Sequence, residues 1–354
     1  MPNISELDLN GSKSPLELLG AEFFKTPRYQ TVLILFLNSV VFVFGVVGNI
    51  IVAIVLSKNR VLFEPTGTFL YGLAIADLVI LLIAQPVAVM EFCTQEVWLL
   101  GPALCKIEPF LENTASNASV LTILAISLER YLAICHPLRA QSVCTESRAV
   151  KVTVVIWVAA SLVAVPLPVF SVYKFSGFYD GTRVPICTIK LIGRWHRFYI
   201  ISMMLVFYAI PSAVFVYVYV AIIRRLSFDD IRMSLDEKRR RHHVLKTRQQ
   251  LVHMLVAIIL AFVICVLPFR VISLWFIYTP KYKVLALGTE IYNYVRWIPR
   301  LLLYVNSAIN PLIYNMVSSK FRLALHRTCR GRVKFLQNTG LLQMSSSKQP
   351  SSRT

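Results

Sequence analysis

Four ionisable side chains stand where few are tolerated. Asp77, Glu112, Arg270 and Arg300 all fall within stretches long and apolar enough to cross a bilayer. Charge at that depth is costly unless it faces a partner or water. Arg300 lies in RWIPRLLLYVNSAINPLIYN (296–315), about three helical turns from Pro311. Arg270 follows Phe269 in another stretch, and Glu112 is grouped with Asn113 and Asn117 in a third. These residue types suit pairing and reception better than bond-making. Glu112 can pair with Arg270 or Arg300 inside a wet chamber. A guanidinium left over then offers forked donors to carbonyls or a carboxylate of a visiting molecule. The plainer alternative is an architectural ion pair. Nothing in the chain suggests an enzyme: there is no HExxH helix and no pair of catalytic acids. His242-His243 belongs to a basic run that reads as a solvated helix extension. No metal-ligand spacing is found among the cysteines.

The elements that must position these groups follow from composition. The chain has 354 residues, of which 56% are hydrophobic, and its mean hydropathy is +0.63. A soluble domain has too little interior to hide that much apolar surface. Seven stretches reach bilayer length: 31–57, 66–92, 103–136, 149–171, 198–226, 247–278 and 288–316. Each is helical by the rule that backbone crossing lipid satisfies its own hydrogen bonds. The third carries Lys106, Glu108, Glu112, Asn113 and Asn117, so it is expected at the centre, enclosed by the others. The expected fold is an all-α bundle of seven transmembrane helices, followed by a short amphipathic helix on the membrane surface. Residues 1–29 form an N-terminal segment, 30–317 the bundle, 318–330 the surface helix and 331–354 a disordered tail. No cleavable signal peptide is read.

Arginine and lysine set the orientation. The loop after span five holds Arg224, Arg225 and Arg232, then Lys238 to Arg241, Lys246 and Arg248, and the tail from Lys320 has eight Lys and Arg with no acid. Both belong inside the cell. The loop between spans four and five opposes this with Lys174, Arg183, Lys190, Arg194 and Arg197 against Asp180. Glycosylation acceptors at Asn3 and Asn10 agree with an extracellular N-terminus. Asn117-Ala-Ser119 matches the same pattern but lies at membrane depth. Cys105 and Cys187 then share an oxidising space and can bridge. Cys329 follows SKFRLALHRTC, whose Phe321, Ala324 and Leu325 share one side, and is a candidate for palmitoylation. The net charge of +19 sits at span ends and in the tail, which suits anionic lipid and argues against nucleic acid.

Several small motifs recur at matching depths: GNIIV with Asn49, LAIADL with Asp77, ERYLAICHPL, Trp157 before Pro166, Pro211 before Tyr219, and NPLIY from Asn310 to Tyr314. In this order the chain resembles a rhodopsin-like G-protein-coupled receptor over about residues 30–330. The resemblance implies a plasma-membrane receptor that acts on heterotrimeric G proteins by shape change. Glu129, Arg130 and Tyr131 would form the inner switch, with Tyr219, Asn310, Pro311 and Tyr314 rearranging around it. Asp77, Ser119, Asn306, Ser307 and Asn310 would line a polar cavity that holds a sodium ion in inactive states; a protonated Asp77 is the alternative. No other cofactor is implied. Arrestin and receptor kinases would act on tail sites such as Ser345 to Ser347.

The segments HPLRAQSVCTESRAVK and YVNSAINPLIYNMVSSKFRLAL resemble those of thyrotropin-releasing-hormone receptors. That likeness implies a short amidated peptide held by Asn117, Arg270 and Arg300, with Gq and calcium release downstream. Glu112, Asn113, Phe269 and Tyr304 would complete the site. Asn113 and Phe269 stand where that group has tyrosines, so a related peptide fits better than the same one. Val266 replaces the tryptophan usual two residues before Pro268, and Phe262 or Phe269 could take over its packing. A receptor for a small organic acid or lipid anion is the main rival. An aminergic receptor is disfavoured by the two arginines. A retinal protein would need a lysine at Tyr304, and a transporter would show paired repeats.

Overall fold

The computed structural model describes residues 26–59, 65–177, 181–189, 193–232, 235–280, 283–284 and 287–338. Asn3, Asn10 and Ser345 to Ser347 lie outside the described residues, as do the side chains of 228–251. Seven long helices form the bundle: α1 Arg28–Lys58, α2 Thr66–Cys93, α3 Gly101–Cys135, α4 Glu146–Phe170, α5 Arg194–Ser227, α6 Leu235–Tyr278 and α7 Thr289–Val317. A short helix, Pro137–Val143, follows α3, and α8, Ser319–Asn338, follows α7. Helix α8 therefore runs further than the amphipathic segment read from sequence.

Six of the seven are apolar enough to cross a membrane on their own. Helix α7 is the exception, because its polar side chains are aimed into the bundle. Asn293, Asn306, Ser307 and Asn310 are all buried. Lipid-facing positions elsewhere are apolar and exposed, including Phe36, Val43, Val155, Val216, Leu260 and Ile264. Helix α3 touches α2, α4, α5 and α6, and α7 packs between α6 and α1. The main apolar core joins Ile123 and Ile126 of α3 to Leu73, Phe215, Ile222, Leu255, Ile258 and Tyr314.

Local departures from α geometry have causes in the sequence. A π-turn spans Ile80–Ala84 and another Leu205–Ala209. Each ends two residues before a proline, Pro86 or Pro211. Proline cannot donate to the carbonyl four residues back and its ring crowds that carbonyl; a widened turn relieves the clash. Such a turn shifts the facing of the following residues by about 100°.

One feature was not read from sequence. Between α4 and α5 the chain forms an antiparallel hairpin, β1 Ser171–Gly177 with β2 Arg183–Ile189, in register Ser171↔Ile189. Cys187 of β2 is bridged to Cys105 of α3. The buried Trp98 donates its backbone N–H to Pro185 O at 2.8 Å and its indole N–H to Gly101 O at 2.7 Å. The hairpin is thus fastened to the bundle at two places. At the other end, Arg322 of α8 donates to Asn315 O at 3.2 Å and Met316 O at 2.8 Å, filling free carbonyls at the end of α7. Phe321 packs on Tyr314 at 6.0 Å between ring centres, and Cys329 is exposed.

Helix α1 approaches α7 closely because two of its residues have no side chain. A Cβ at Gly45 would stand 2.7 Å from Leu81 Cδ1 and 2.9 Å from Ala308 Cβ, and one at Gly48 would stand 2.9 Å from the Pro311 ring. Gly45→Val should destabilise the protein by about 1–3 kcal/mol through overpacking. A thermal-unfolding measurement in detergent checks this; an unchanged midpoint would show that α1 can move away freely.

Candidate functional site

Arg300 is held by three carboxylates from two neighbouring helices. Its Nη1 lies 3.1 Å from Glu91 Oε2, and its Nη2 lies 3.7 Å from Glu112 Oε2 and 3.9 Å from Glu108 Oε1. Its Nε donates to the Tyr304 phenol at 3.0 Å, and that phenol donates to Ala84 O at 3.4 Å. Glu108 and Glu112 are one turn apart and so share a face of α3. Tyr304 is four residues beyond Arg300 on the same face of α7. A small cleft between α1, α2 and α7, with room for no more than about a water molecule, is lined by Asn38, Phe92, Trp297, Arg300 and Tyr304 among others.

Nearer the hairpin a second pair repeats the pattern. Arg296 is ion-paired with Glu96 and donates to the Tyr292 phenol at 2.9 Å. Glu96 reaches it from a left-handed backbone, φ 72°. Phe92 and Trp297 meet edge to face at 5.1 Å between these two ion pairs. Helix α2 and the turn after it are therefore joined to α7 by acid, ring and acid against arginine, ring and arginine.

The structure places the remaining expected pocket residues unequally. The reading that Glu112 pairs with an arginine matches the geometry, and the partner is Arg300. Arg300 itself is not a spare guanidinium. Arg270 comes closer to that description. Its Nε is buried with no hydrogen-bond partner, and Glu112 is the one acid acting on it. Asn117 is 2% exposed and its Nδ2 also lacks a partner. Asn113 spends its amide on Pro109 O of its own helix at 2.9 Å. Phe269 is half-buried beside Arg270. Beneath them Val266 is buried, and Phe262 packs against Phe215 and Tyr208, each at 5.9 Å. Phe262 lies one turn before Val266 on the same helix.

Deeper still, Asp77 is fully buried and accepts from Asn310 Nδ2 at 2.8 Å. Asn49 donates to Ser307 O at 3.0 Å. Asp77 Oδ1, Ser119 Oγ, Ser307 Oγ and Asn49 Oδ1 have no hydrogen-bond partner, and Asn306 is buried on the same helix as Ser307. At the far end of α3, Arg130 Nη2 lies 3.1 Å from Glu129 Oε1. The same oxygen accepts from Thr66 Oγ1 at 2.9 Å. Tyr219 and Tyr314 are buried with unpartnered hydroxyls, while Tyr131 packs on His136 and Tyr217.

Sequence reasoning missed Glu91, Glu96 and Thr66. Glu91 had a signal, an acid near the end of an apolar span, but the π-turn before it hides which way it faces. Thr66 had none, since a threonine at a helix start reads as a cap.

Residues 48–314 match the 7 transmembrane receptor (rhodopsin family). The chain is 32% identical to neuromedin-U receptor 2 of Homo sapiens, over 80% of this chain and 68% of that one. It is 30% identical to neurotensin receptor type 1 of Rattus norvegicus, over 90% and 79% of the two chains. It is also 30% identical to the thyrotropin-releasing hormone receptor of Gallus gallus, over 90% and 83%. With a bundle of this order and a match across most of its length, the chain belongs to the rhodopsin family of seven-transmembrane receptors and is a multi-pass membrane protein, not an enzyme.

Proposed function

We propose that this chain is a plasma-membrane receptor for a short, C-terminally amidated peptide, with its N-terminus outside the cell, and that it activates heterotrimeric G proteins. The observation that carries this reading is the charged cluster around Arg300 in the half of the bundle below the fastened hairpin. Burial of so much charge is reasonable where a polar ligand enters. Similar chains named for neuromedin U, neurotensin and thyrotropin-releasing hormone support a peptide. Arg270 and Asn117 offer unpartnered donors to its carbonyls. An amidated end suits a chamber already holding Glu91, Glu108 and Glu112, because it brings no further carboxylate. The rival ligand, a small organic acid or lipid anion, would meet exposed Lys174, Arg183, Arg194 and Arg197 at the rim, but repulsion deeper in.

Signal transmission follows from differential affinity: the ligand binds the active bundle more tightly and shifts its population. In the resting state Thr66 and Arg130 share Glu129. Release of Arg130 would bring it to Tyr219 and Tyr314, whose hydroxyls are unsatisfied as the bundle stands. Pro311 removes a backbone donor from α7 beside Asp77, so the last part of that helix can bend. Gq with calcium release, then kinase phosphorylation and arrestin binding, is the expected sequence on the inner side. A sodium ion fits the deep polar cluster: Asp77 Oδ1, Ser119 Oγ and Ser307 Oγ are buried oxygens without partners, and Asn306 and Asn310 complete the set. Bound there, it would supply positive charge that favours the resting arrangement.

A calcium-mobilisation screen with amidated short peptides, organic acids and amines tests the ligand class. Peptide responses should lose about tenfold or more in potency in Asn117→Ala, Arg270→Ala and Arg300→Ala. Activation by organic acids alone would reject the reading. Thr66→Val removes one hydrogen bond to a carboxylate, worth about 1.5–3 kcal/mol, and should raise ligand-free inositol phosphate production about tenfold, with Thr66→Ser near the original level. Replacing sodium by choline should raise agonist affinity in the unaltered receptor and leave Asp77→Asn unaffected; equal sodium sensitivity in both would remove the ion from Asp77.

A further inference from the structure

Helix α8 is attached to the bundle at two separate places. Its near end is held by α7, where Phe321 packs on Tyr314 and Arg322 donates to Asn315 O and Met316 O. Its far end is held by α1. Asn59, the residue that closes α1, donates through Nδ2 to Thr328 Oγ1 at 3.1 Å. The same amide donates to Val55 O at 2.8 Å, which fixes its direction. Thr328 donates in turn to Ala324 O at 2.9 Å. The proton and a lone pair of the Thr328 hydroxyl are therefore both in use. The partners are 269 residues apart, so no local pattern in the sequence announces this bond.

The hydroxyl stands on the apolar side of the helix. Phe321, Ala324, Leu325 and Thr328 recur at steps of three and four residues and form one stripe. Phe321 and Ala324 are buried, and Leu325 and Thr328 are half-buried. Lys320, Arg322, Arg327 and Arg330 are exposed. With Arg332 and Lys334 the helix Ser319–Asn338 holds six Lys and Arg and no acid. Such a helix is drawn to anionic lipid by its charge and by its apolar stripe. Arg327 directly precedes Thr328, and Arg330 follows it by two residues. Gly331 is a poor helix former, so the turns from Thr328 onward open more readily than those before it.

We propose that Thr328 is a phosphorylation site for a cytosolic kinase that selects arginine beside its target, and that the phosphate detaches the far half of α8 from α1 and the inner leaflet. Thr328 Oγ1 attacks the γ-phosphorus of ATP and the bond to the β,γ-bridging oxygen breaks. ADP leaves, and the hydroxyl proton passes to the catalytic base of the kinase. Ala324 O then loses its donor. The phosphate adds about 1.5 to 2 negative charges and three strong acceptors to the stripe that faces the bundle. Charge is costly to bury there. Set against six cations, it removes about a third of the attraction to anionic lipid. The contacts of Phe321 and Arg322 do not involve that hydroxyl, so the near end stays on α7. The result is a switch on the inner face that a kinase sets without a ligand. It goes beyond the peptide reading and shares with it only the orientation of the chain.

Full-length receptor in nanodiscs of equal parts phosphatidylcholine and phosphatidylserine tests this. It is incubated with ATP and protein kinase C, a kinase that prefers basic surroundings, then read by mass spectrometry and hydrogen exchange. Phosphate is expected at Thr328. Exchange of the amides at 325–334 should rise about tenfold, and that at 319–323 should stay as it was. Asn59→Ala removes the tie without touching α8. It should speed phosphorylation of Thr328 several-fold and raise exchange at 325–334 before any phosphate is added. The inference is overturned by the absence of phosphate from Thr328, by phosphate there with unchanged exchange, or by equal phosphorylation rates in Asn59→Ala and the unaltered receptor. Orientation is judged apart: modification of Cys329 by an impermeant maleimide on intact cells would overturn the cytosolic placement. A Thr328 that takes no phosphate would leave the peptide reading standing.

Discussion

A charge placed among hydrocarbon must bring its own polar surroundings, and in this receptor Arg300 brings the largest share. Its guanidinium draws Glu91 from α2 and Glu108 and Glu112 from α3, and takes Tyr304 from its own helix. Removing one partner of a buried ion pair costs about 3–5 kcal/mol, so these helices are not independent. The same demand explains why α7 fails the apolar criterion that the six others meet. A helix that carries Arg296, Arg300, Asn306 and Asn310 cannot face lipid along that side. It is stable only when α1, α2, α3 and α6 enclose it.

The second polar cluster follows the same rule with a different balance. Asp77 and Asn310 satisfy each other in part, and Asn49 ties α1 to α7 at Ser307. Gly45 and Gly48 let α1 come close enough for that bond. The helices at this depth are thus brought together by small residues and fixed by amides, a combination suited to lipid, where burial of apolar surface gives no drive to association. Unpartnered oxygens remain on Asp77, Ser119 and Ser307. A cluster left incomplete at the middle of the bundle is a natural place for an ion or a rearrangement.

Much of this was legible because the membrane restricts what a sequence can mean. Span number, the central place of α3 and the pairing of Glu112 with an arginine follow from apolar runs interrupted by charge. The disulfide between Cys105 and Cys187 follows from both cysteines lying on one side. What escaped reading depends on the azimuth of a side chain. Glu91 lies beyond a π-turn, and a constant period misplaces everything after such a turn. Thr66 is 63 residues from Glu129 in sequence, and a hydroxyl carries no signal of so distant a partner. The hairpin was hidden because it lies between two spans, where the basic residues around it made the whole stretch read as loop.

Helix α7 connects all of these places. Arg300 and Pro311 are eleven residues apart, about 16 Å along the helix axis. Above the proline the helix is zipped to α2 by Glu91 and Phe92 and to the turn after it by Glu96, and below it Tyr314 packs against Phe321 of α8. In the proposed mechanism a ligand that engages the cluster around Arg300 loosens the upper attachment. The proline lets the two halves of the helix answer differently, since it interrupts the hydrogen-bond ladder beside Asp77. A displaced lower half alters the surroundings of Tyr314, whose hydroxyl stands unsatisfied. The coupling then needs no chain of successive contacts through the apolar core. It needs one helix with charged attachments above, a weak point in the middle and a tyrosine below, held at each level by groups that have more than one partner available.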